Sequence, residues 1–339
     1  MKTFRLLFFA TLIVTAVSSC DIIFGTDDPD DPDNPSGSKA PKGAVSGLFT
    51  INSSGSQVYF SKGNLQYQAS TGTWRFAEHQ WDYVGGSRRY DETVKNGTVA
   101  SSDNCKIDVN YSGWIDLFGW GTSGWSGGAH CCNPYDSDRN ADLYVVGDSM
   151  NNSLTGDYAN ADWGVYNAIS NGGNKAGLWR TLSSAEWEYV LNKRSGDRFA
   201  KAIVNDIPGL ILLPDGWDSS VYEFKYPGRA RENWNINVIA ESLWENTLEP
   251  AGAVFLPAAG LRHAYYSQIG DGWVISVTND PTYKNPQCYY WSTTSYPGNY
   301  PTLRQALCMT ADGSSVRGDY KYDYNRSNGM SVRLVCDVK

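Results

Sequence analysis

Histidine is scarce in this chain: only His79, His130 and His263 occur in 339 residues. None sits in a Ser-nucleophile elbow or in a metal-ligand spacing such as His-Glu-x-x-His, so each reads as an ordinary surface or loop residue. No pair of carboxylates stands out for glycoside hydrolysis. Basic residues are also few, with 28 Lys and Arg against 36 Asp and Glu and a net charge of −8. A nucleic-acid partner needs a basic face for its phosphates, and this balance excludes one. Long apolar runs are missing too. The one clear run, Leu6 to Val17, is twelve residues, short of the roughly 20 that span a bilayer as a helix.

What surrounds that run gives it a different meaning. Lys2 and Arg5 precede it, and Val17-Ser18-Ser19-Cys20 follows. A basic start, a short apolar stretch and small residues before a cut site describe a secretory signal over residues 1–19. Cys20 resembles the lipidated cysteine of a bacterial lipobox, which implies a chain anchored to a membrane by lipid (palmitate among the acyl groups) and not threaded through it. Residues 20–45 then read as the lipidated Cys and a tether, since "GTDDPDDPDNPSGSKAPKG" has almost nothing to bury. Its Asp27, Asp28, Asp30, Asp31 and Asp33 resemble the acidic export signal of Bacteroidetes-type surface lipoproteins. That resemblance implies the outer membrane, with the body facing out of the cell.

Residues 46–339 read as one domain, with a β- and loop-rich part over 46–165 and a core over 166–339 that carries a C-terminal binding segment. Alternating segments at 57–61, 65–69 and 73–77, separated by turn residues, predict β-hairpins. Residues 111–130 carry Trp114, Trp120 and Trp125 among many glycines. They lack helical periodicity, so a long loop whose rings plug the body is expected. The clearest helix is expected over 181–194: Ser183 and Glu186 form a capping box, and Trp187, Val190 and Leu191 make one apolar stripe. Shorter helices are expected near 161–170 and 235–245, and strands at 209–214, 252–257, 288–295, 306–311, 314–324 and 330–338. Six cysteines remain after lipidation, and a bridge is expected first among Cys288, Cys308 and Cys336. Asp136, Asp138, Asn140 and Asp142 alternate as hard oxygen ligands for calcium do. The glycine and glutamate that an EF-type loop needs are Ala141 and Gly147 here, which favours a solvated loop. No other cofactor is indicated.

The order "LWRTLSSAEWEYVL", "GLILLPDGW", "GAVFLPAAGLR", "YYWSTTSY" and "GMSVRLVC" resembles the C-type-lectin-like fold, and within it the formylglycine-generating, sulfatase-modifying-factor branch with its bacterial surface relatives. The Fibrobacter succinogenes major paralogous domain belongs with those. "VYFSKGNLQYQASTGTWRFAEHQWDYVG" and "WIDLFGWGTSG" extend the likeness over residues 47–338. It implies an α+β class: short β-sheets, two or three helices, long Gly- and Trp-rich loops, and chain ends joined in a small sheet. Some relatives are variable proteins of diversity-generating retroelements, in which the stretch before the last strand is the binding face.

Mapped here, that face comprises Tyr290, Trp291, Tyr296, Asn299, Tyr300, Arg304, Tyr320, Tyr322, Asp323, Tyr324, Asn325 and Arg326. Tyrosine offers rigid area at low entropic cost, and Asn, Asp and Ser offer adaptable hydrogen bonds. The expectation is a non-catalytic binder of an extracellular protein or glycan, with an adhesive role. One alternative is an oxygen-dependent oxidoreductase with copper on Cys308 and Cys336; another is a structural component at the tip of a surface assembly. Arg317-Gly318-Asp319 is an RGD tripeptide, but it falls in an expected strand. The Gln-Pro-Asp type of calcium and sugar motif is absent, since Glu249-Pro250-Ala251 lacks its third member.

Overall fold

A computed structural model describes residues 40–68, 70–84, 113–125, 152–267, 272–278, 286–296, 305–320 and 325–339, with the backbone alone for 263–267, 272–278 and Tyr320. Along the chain, β1 (Ala44–Thr50) returns through a turn in which the Asn52 side chain accepts from the amides of Ser54 and Ser56. β2 (Gln57–Ser61) follows antiparallel to it. β3 (Leu65–Gln68) and β4 (Thr73–Phe76) form a hairpin, and β5 (Trp114–Ile115) adds to β3. β2 and β3 are not hairpin partners, although the sequence expects hairpins there. Lys62 N donates to Gly43 O and Leu65 N to Val332 O, so the connection passes from one sheet to another.

The expected helix at 161–170 is reduced to a 3₁₀ turn (Gly156–Ala161) and α1 (Trp163–Tyr166), capped by Asp162. Then come β6 (Arg180–Thr181) and α2 (Ser184–Glu188). The capping box is present: the Ser183 hydroxyl accepts from Glu186 N at 3.2 Å, and the Glu186 carboxylate accepts from Ser183 N at 2.7 Å. The helix is shorter than the sequence suggests, because Thr181 is taken by β6 and Tyr189–Lys193 widens into a π turn. Arg194, the last residue of that expected helix, is buried against Val190 O and Asp215.

β7 (Phe199–Val204) and β8 (Ile207–Leu212) pair as a hairpin, and β9 (Val238–Ile239) lies parallel to β7. A helix over 235–245 is therefore displaced. The Asn237 amide bonds to Lys201 O and Lys225 O and holds the chain extended, and α3 (Glu241–Leu243) begins only after β9. β10 (Val254–Pro257) joins β8; β11 (Leu261–Ser267) and β12 (Gly272–Thr278) form a separate hairpin. β13 (Cys288–Tyr296), β14 (Gln305–Ala311) and β15 (Val316–Tyr320) make a three-stranded antiparallel sheet. Last, β16 (Leu334–Asp337) inserts between β2 and β6, so the two ends of the described chain close one sheet.

Among the described residues strand exceeds helix by 35% to 15%, the helices are a few turns at most and the sheets are several and small, which makes the architecture mixed α+β. β13 crosses its centre. Tyr289 and Trp291 point into a cluster with Phe118, Trp120 and Trp163. Cys288 and Tyr290 point the other way, into a cluster with Trp187, Val190 and Leu191. A strand covered on both faces reads as a continuous apolar run, as "CYYW" does. Cys288, Cys308 and Cys336 are not bridged to one another. Cys288 lies opposite Ala311 and Cys308 opposite Trp291, out of register with each other, while Cys336 pairs with Tyr59 in another sheet.

Candidate ligand-binding surface

The residues expected to grip a ligand divide into three groups. The first is interior. Tyr290 is fully buried; its hydroxyl donates to Pro257 O at 3.1 Å and accepts from the Asn64 amide at 3.1 Å. Asn64 in turn accepts from Arg333, whose guanidinium also reaches Gln80 and is drawn down to about 10 by burial. Burial pushes the Tyr290 phenol well up. Trp291 is fully buried too, and its indole N–H donates to Phe118 O at 2.7 Å. Arg326 is 1% exposed and stacks on Trp120. These three are corrected from contact residues to framework: β13 has a core on each side, and the Arg326 side chain is spent inside.

Side-chain and backbone groups of "STTS" serve the same framework. Ser292 donates to Leu307 O at 2.6 Å, Thr294 accepts from Ser184 N at 3.1 Å, and Ser153 Oγ accepts from Ser295 N at 3.1 Å. They tie β13 to β14, to the start of α2 and to the segment before α1.

The second group marks where the framework ends. Tyr296, half-buried, pairs with Gln305, and Gln305 forms a further bridge with Asn325, also half-buried. The Tyr320 backbone pairs with Cys308, three residues into β14. So Tyr296, Gln305, Tyr320 and Asn325, which flank residues 297–304 and 321–324, gather at one end of the β13–β14–β15 sheet. Arg326 secures that end: its Nε donates to Gln305 O at 3.1 Å, and its carbonyl accepts from Trp120 N at 2.7 Å.

The third group lies outside the described residues: Asn299, Tyr300, Arg304, Tyr322, Asp323, Tyr324 and the side chain of Tyr320. Cys20 and the calcium candidates Asp136, Asp138, Asn140 and Asp142 also lie outside them.

The RGD tripeptide belongs to β15. Its glycine packs on α2, where an added Cβ would lie 2.1 Å from Glu188 N. Arg317 and Asp319 are exposed along a strand and not at a loop tip. His79 stacks on Trp81 with centroids 5.0 Å apart and touches Asp82 at 3.1 Å.

For copper chemistry the thiols are poorly placed. Cys308 sits on β14 and Cys336 on β16, in different sheets, and burial raises the pKa of both, favouring S–H over thiolate. Among the described residues, no three His, Cys, Asp or Glu side chains converge as a metal site. The residues present do not fit the copper pair.

One feature escaped the sequence: a cleft lined by Lys42, Lys62, Arg75 and Glu78, drawn from separate segments. No local motif marks it, because the fold alone brings those segments together. Comparison with protein-family models, with curated proteins and with solved structures finds no match to this chain.

Proposed function

We propose that this protein is a lipid-anchored, surface-displayed binding protein of C-type-lectin-like fold that holds an extracellular protein or glycan through an aromatic and polar face near its C-terminus, with residues 297–304 and 321–324 among its contacts. The single observation that carries the reading is the gathering of Tyr296, Gln305, Tyr320 and Asn325 at one end of the β13–β14–β15 sheet. The described residues that flank 297–304 and 321–324 therefore belong to strands fixed by core aromatics. Asn299, Tyr300, Arg304, Tyr322, Asp323 and Tyr324 belong to those two stretches, and their chemistry is that of a contact face: aromatic area with adaptable polar groups.

Anchoring through Cys20 and display on the acidic tether complete the reading. The test is a glycan array and a panel of extracellular proteins probed with the full chain and with a Tyr322→Ala/Tyr324→Ala variant. A bound ligand lost in the variant, at unchanged melting temperature, supports the face. Equal binding by both proteins removes it.

A further inference from the structure

A cleft of about 370 Å³ opens where the approach to β1, the β2–β3 connection, β4 and the segment after α1 meet. Its walls are set before any ligand arrives. The Asn171 amide clamps β4, accepting from Phe76 N at 2.7 Å and donating to Phe76 O at 2.9 Å. Gly43 has φ of 87°, and a Cβ there would lie 2.7 Å from Asn171 O, so only glycine lets the two segments close. Lys62 N donates to Gly43 O at 2.8 Å. Arg75 donates through Nε to Gln66 at 3.0 Å and lies 3.6 Å over the Trp114 ring, which holds its guanidinium in one place.

The charge inside is unlike the rest of the chain. Lys42, Lys62 and Arg75 line it together with one carboxylate, Glu78, in a protein of net charge −8. Among the described residues, neither Lys42 nor Lys62 enters an ion pair. Three cations against one carboxylate give the cleft a net positive charge, with Arg75 fixed in place, and such a cleft draws an anion. A bare oxyanion is too small for the space, since a water-sized occupant takes only about 30 Å³. The volume instead falls in the range of small organic ligands. Glu78 can only accept hydrogen bonds when ionised, which suits hydroxyl groups and opposes a second strong anion.

We propose that this cleft binds an acidic saccharide unit: a sugar ring with one carboxylate or sulfate held by Lys42, Lys62 and Arg75 and a hydroxyl on Glu78. It is a second site, lined by residues other than those of the proposed C-terminal face.

Titration calorimetry on the full chain tests it with four probes: glucuronate, glucose 6-sulfate, glucose and inorganic sulfate. Both acidic sugars are expected to bind saturably, at least tenfold more tightly than glucose or sulfate. Lys62→Gln is expected to weaken them about tenfold, the usual effect of losing one charged hydrogen bond, and Lys62→Arg to retain them. Lys62 is exposed, so neither substitution threatens folding. Equal affinity for inorganic sulfate reduces the cleft to an ion site and overturns the proposal; so does equal affinity for glucose, or a Lys42→Gln/Lys62→Gln protein that binds as before. Vesicles rich in phosphatidylglycerol form a further arm: vesicle binding that needs both lysines, with no sugar bound, identifies a membrane contact instead. The Tyr322→Ala/Tyr324→Ala variant is expected to keep full affinity for the acidic sugars, so failure of one site is distinguishable from failure of the other.

Discussion

The guanidinium of Arg326 lies 4.3 Å from the centre of the Trp120 ring, with both side chains inside the protein. The indole N–H of that ring donates to Ser292 O at 2.7 Å, and Arg326 Nε donates to Gln305 O. One contact therefore joins the Gly- and Trp-rich loop, β13, β14 and the segment before β16. Without Arg326, Gln305 O loses its charged donor and the Trp120 face its cation. Arg326→Ala is expected to destabilise the protein by about 2–4 kcal/mol, read as a lower urea midpoint and a lower melting temperature. Arg326→Lys is expected to recover less than half, because an ammonium cannot lie flat on the ring and donate sideways together. A variant as stable as the parent would mean that the contact contributes nothing to the frame.

The start of α2 gives a smaller and cleaner effect. Ser183→Ala removes the acceptor for Glu186 N and is expected to lower stability by about 1 kcal/mol in urea denaturation, with Ser183→Asp close to the parent. Glu186→Gln keeps the reach back to Ser183 N but gives up the 2.9 Å ion pair with Arg180. Arg180 also holds Asp337 at 2.7 Å, so the helix cap is tied to the last strand. The expected order is parent, then Glu186→Gln, then Ser183→Ala; the reverse order would place the ion pair above the cap.

The cap shows why some of this fold is legible in sequence. Ser183, Glu186 and the Trp187, Val190, Leu191 stripe are local, and their spacing alone specifies a helix. The end of that helix is not local: β6 takes Thr181 through pairing with Leu334, and Asp215 draws Arg194 inward. β13 illustrates the same limit for the site. "YYWSTTSY" reads correctly as a strand, yet Tyr290 and Trp291 look like surface aromatics until cores appear on both sides of them. Within the segment only the unbroken run "CYYW" points to cover on both faces. Hairpin β11–β12 had a readable signal in the aromatic and β-branched residues on either side of Gly270-Asp271-Gly272, but the cleft residues had none.

A buried carboxyl makes stability depend on pH. Asp162 lies within the core beside α1; burial pushes its pKa up to about 6, against partial relief from Thr181 N, Gly164 N and the Thr181 hydroxyl. The folded state thus binds the proton more tightly than the unfolded chain does. Between about pH 4 and pH 6 the folded protein carries more protons, so stability falls as pH rises through that window. The penalty at neutral pH is on the order of 3 kcal/mol. Urea midpoints taken at pH 5 and pH 7 are expected to favour pH 5 for this group. In Asp162→Asn the difference is expected to shrink, while overall stability drops because an amide N–H2 then faces backbone donors. An unchanged pH difference in that variant would assign the dependence to other groups.

Gly318 separates structure from motif in the RGD tripeptide. β15 runs so close to α2 that a methyl group at Gly318 would lie 2.1 Å from Glu188 N and 2.4 Å from Glu188 Cα. Both obstacles are backbone, so relief requires the strand and the helix to part. Gly318→Ala is expected to destabilise by about 2 kcal/mol or more, the scale of overpacking a close contact. Arg317→Ala and Asp319→Ala change exposed side chains and are expected to stay within about 0.5 kcal/mol of the parent. The three variants, melted side by side, therefore rank by packing and not by membership of the tripeptide. If cells that bind RGD ligands adhere equally to the parent and to Asp319→Ala, the tripeptide is a by-product of a strand that must pass a helix. If adhesion is lost in Asp319→Ala while its melting temperature holds, the exposed pair on β15 is itself a contact.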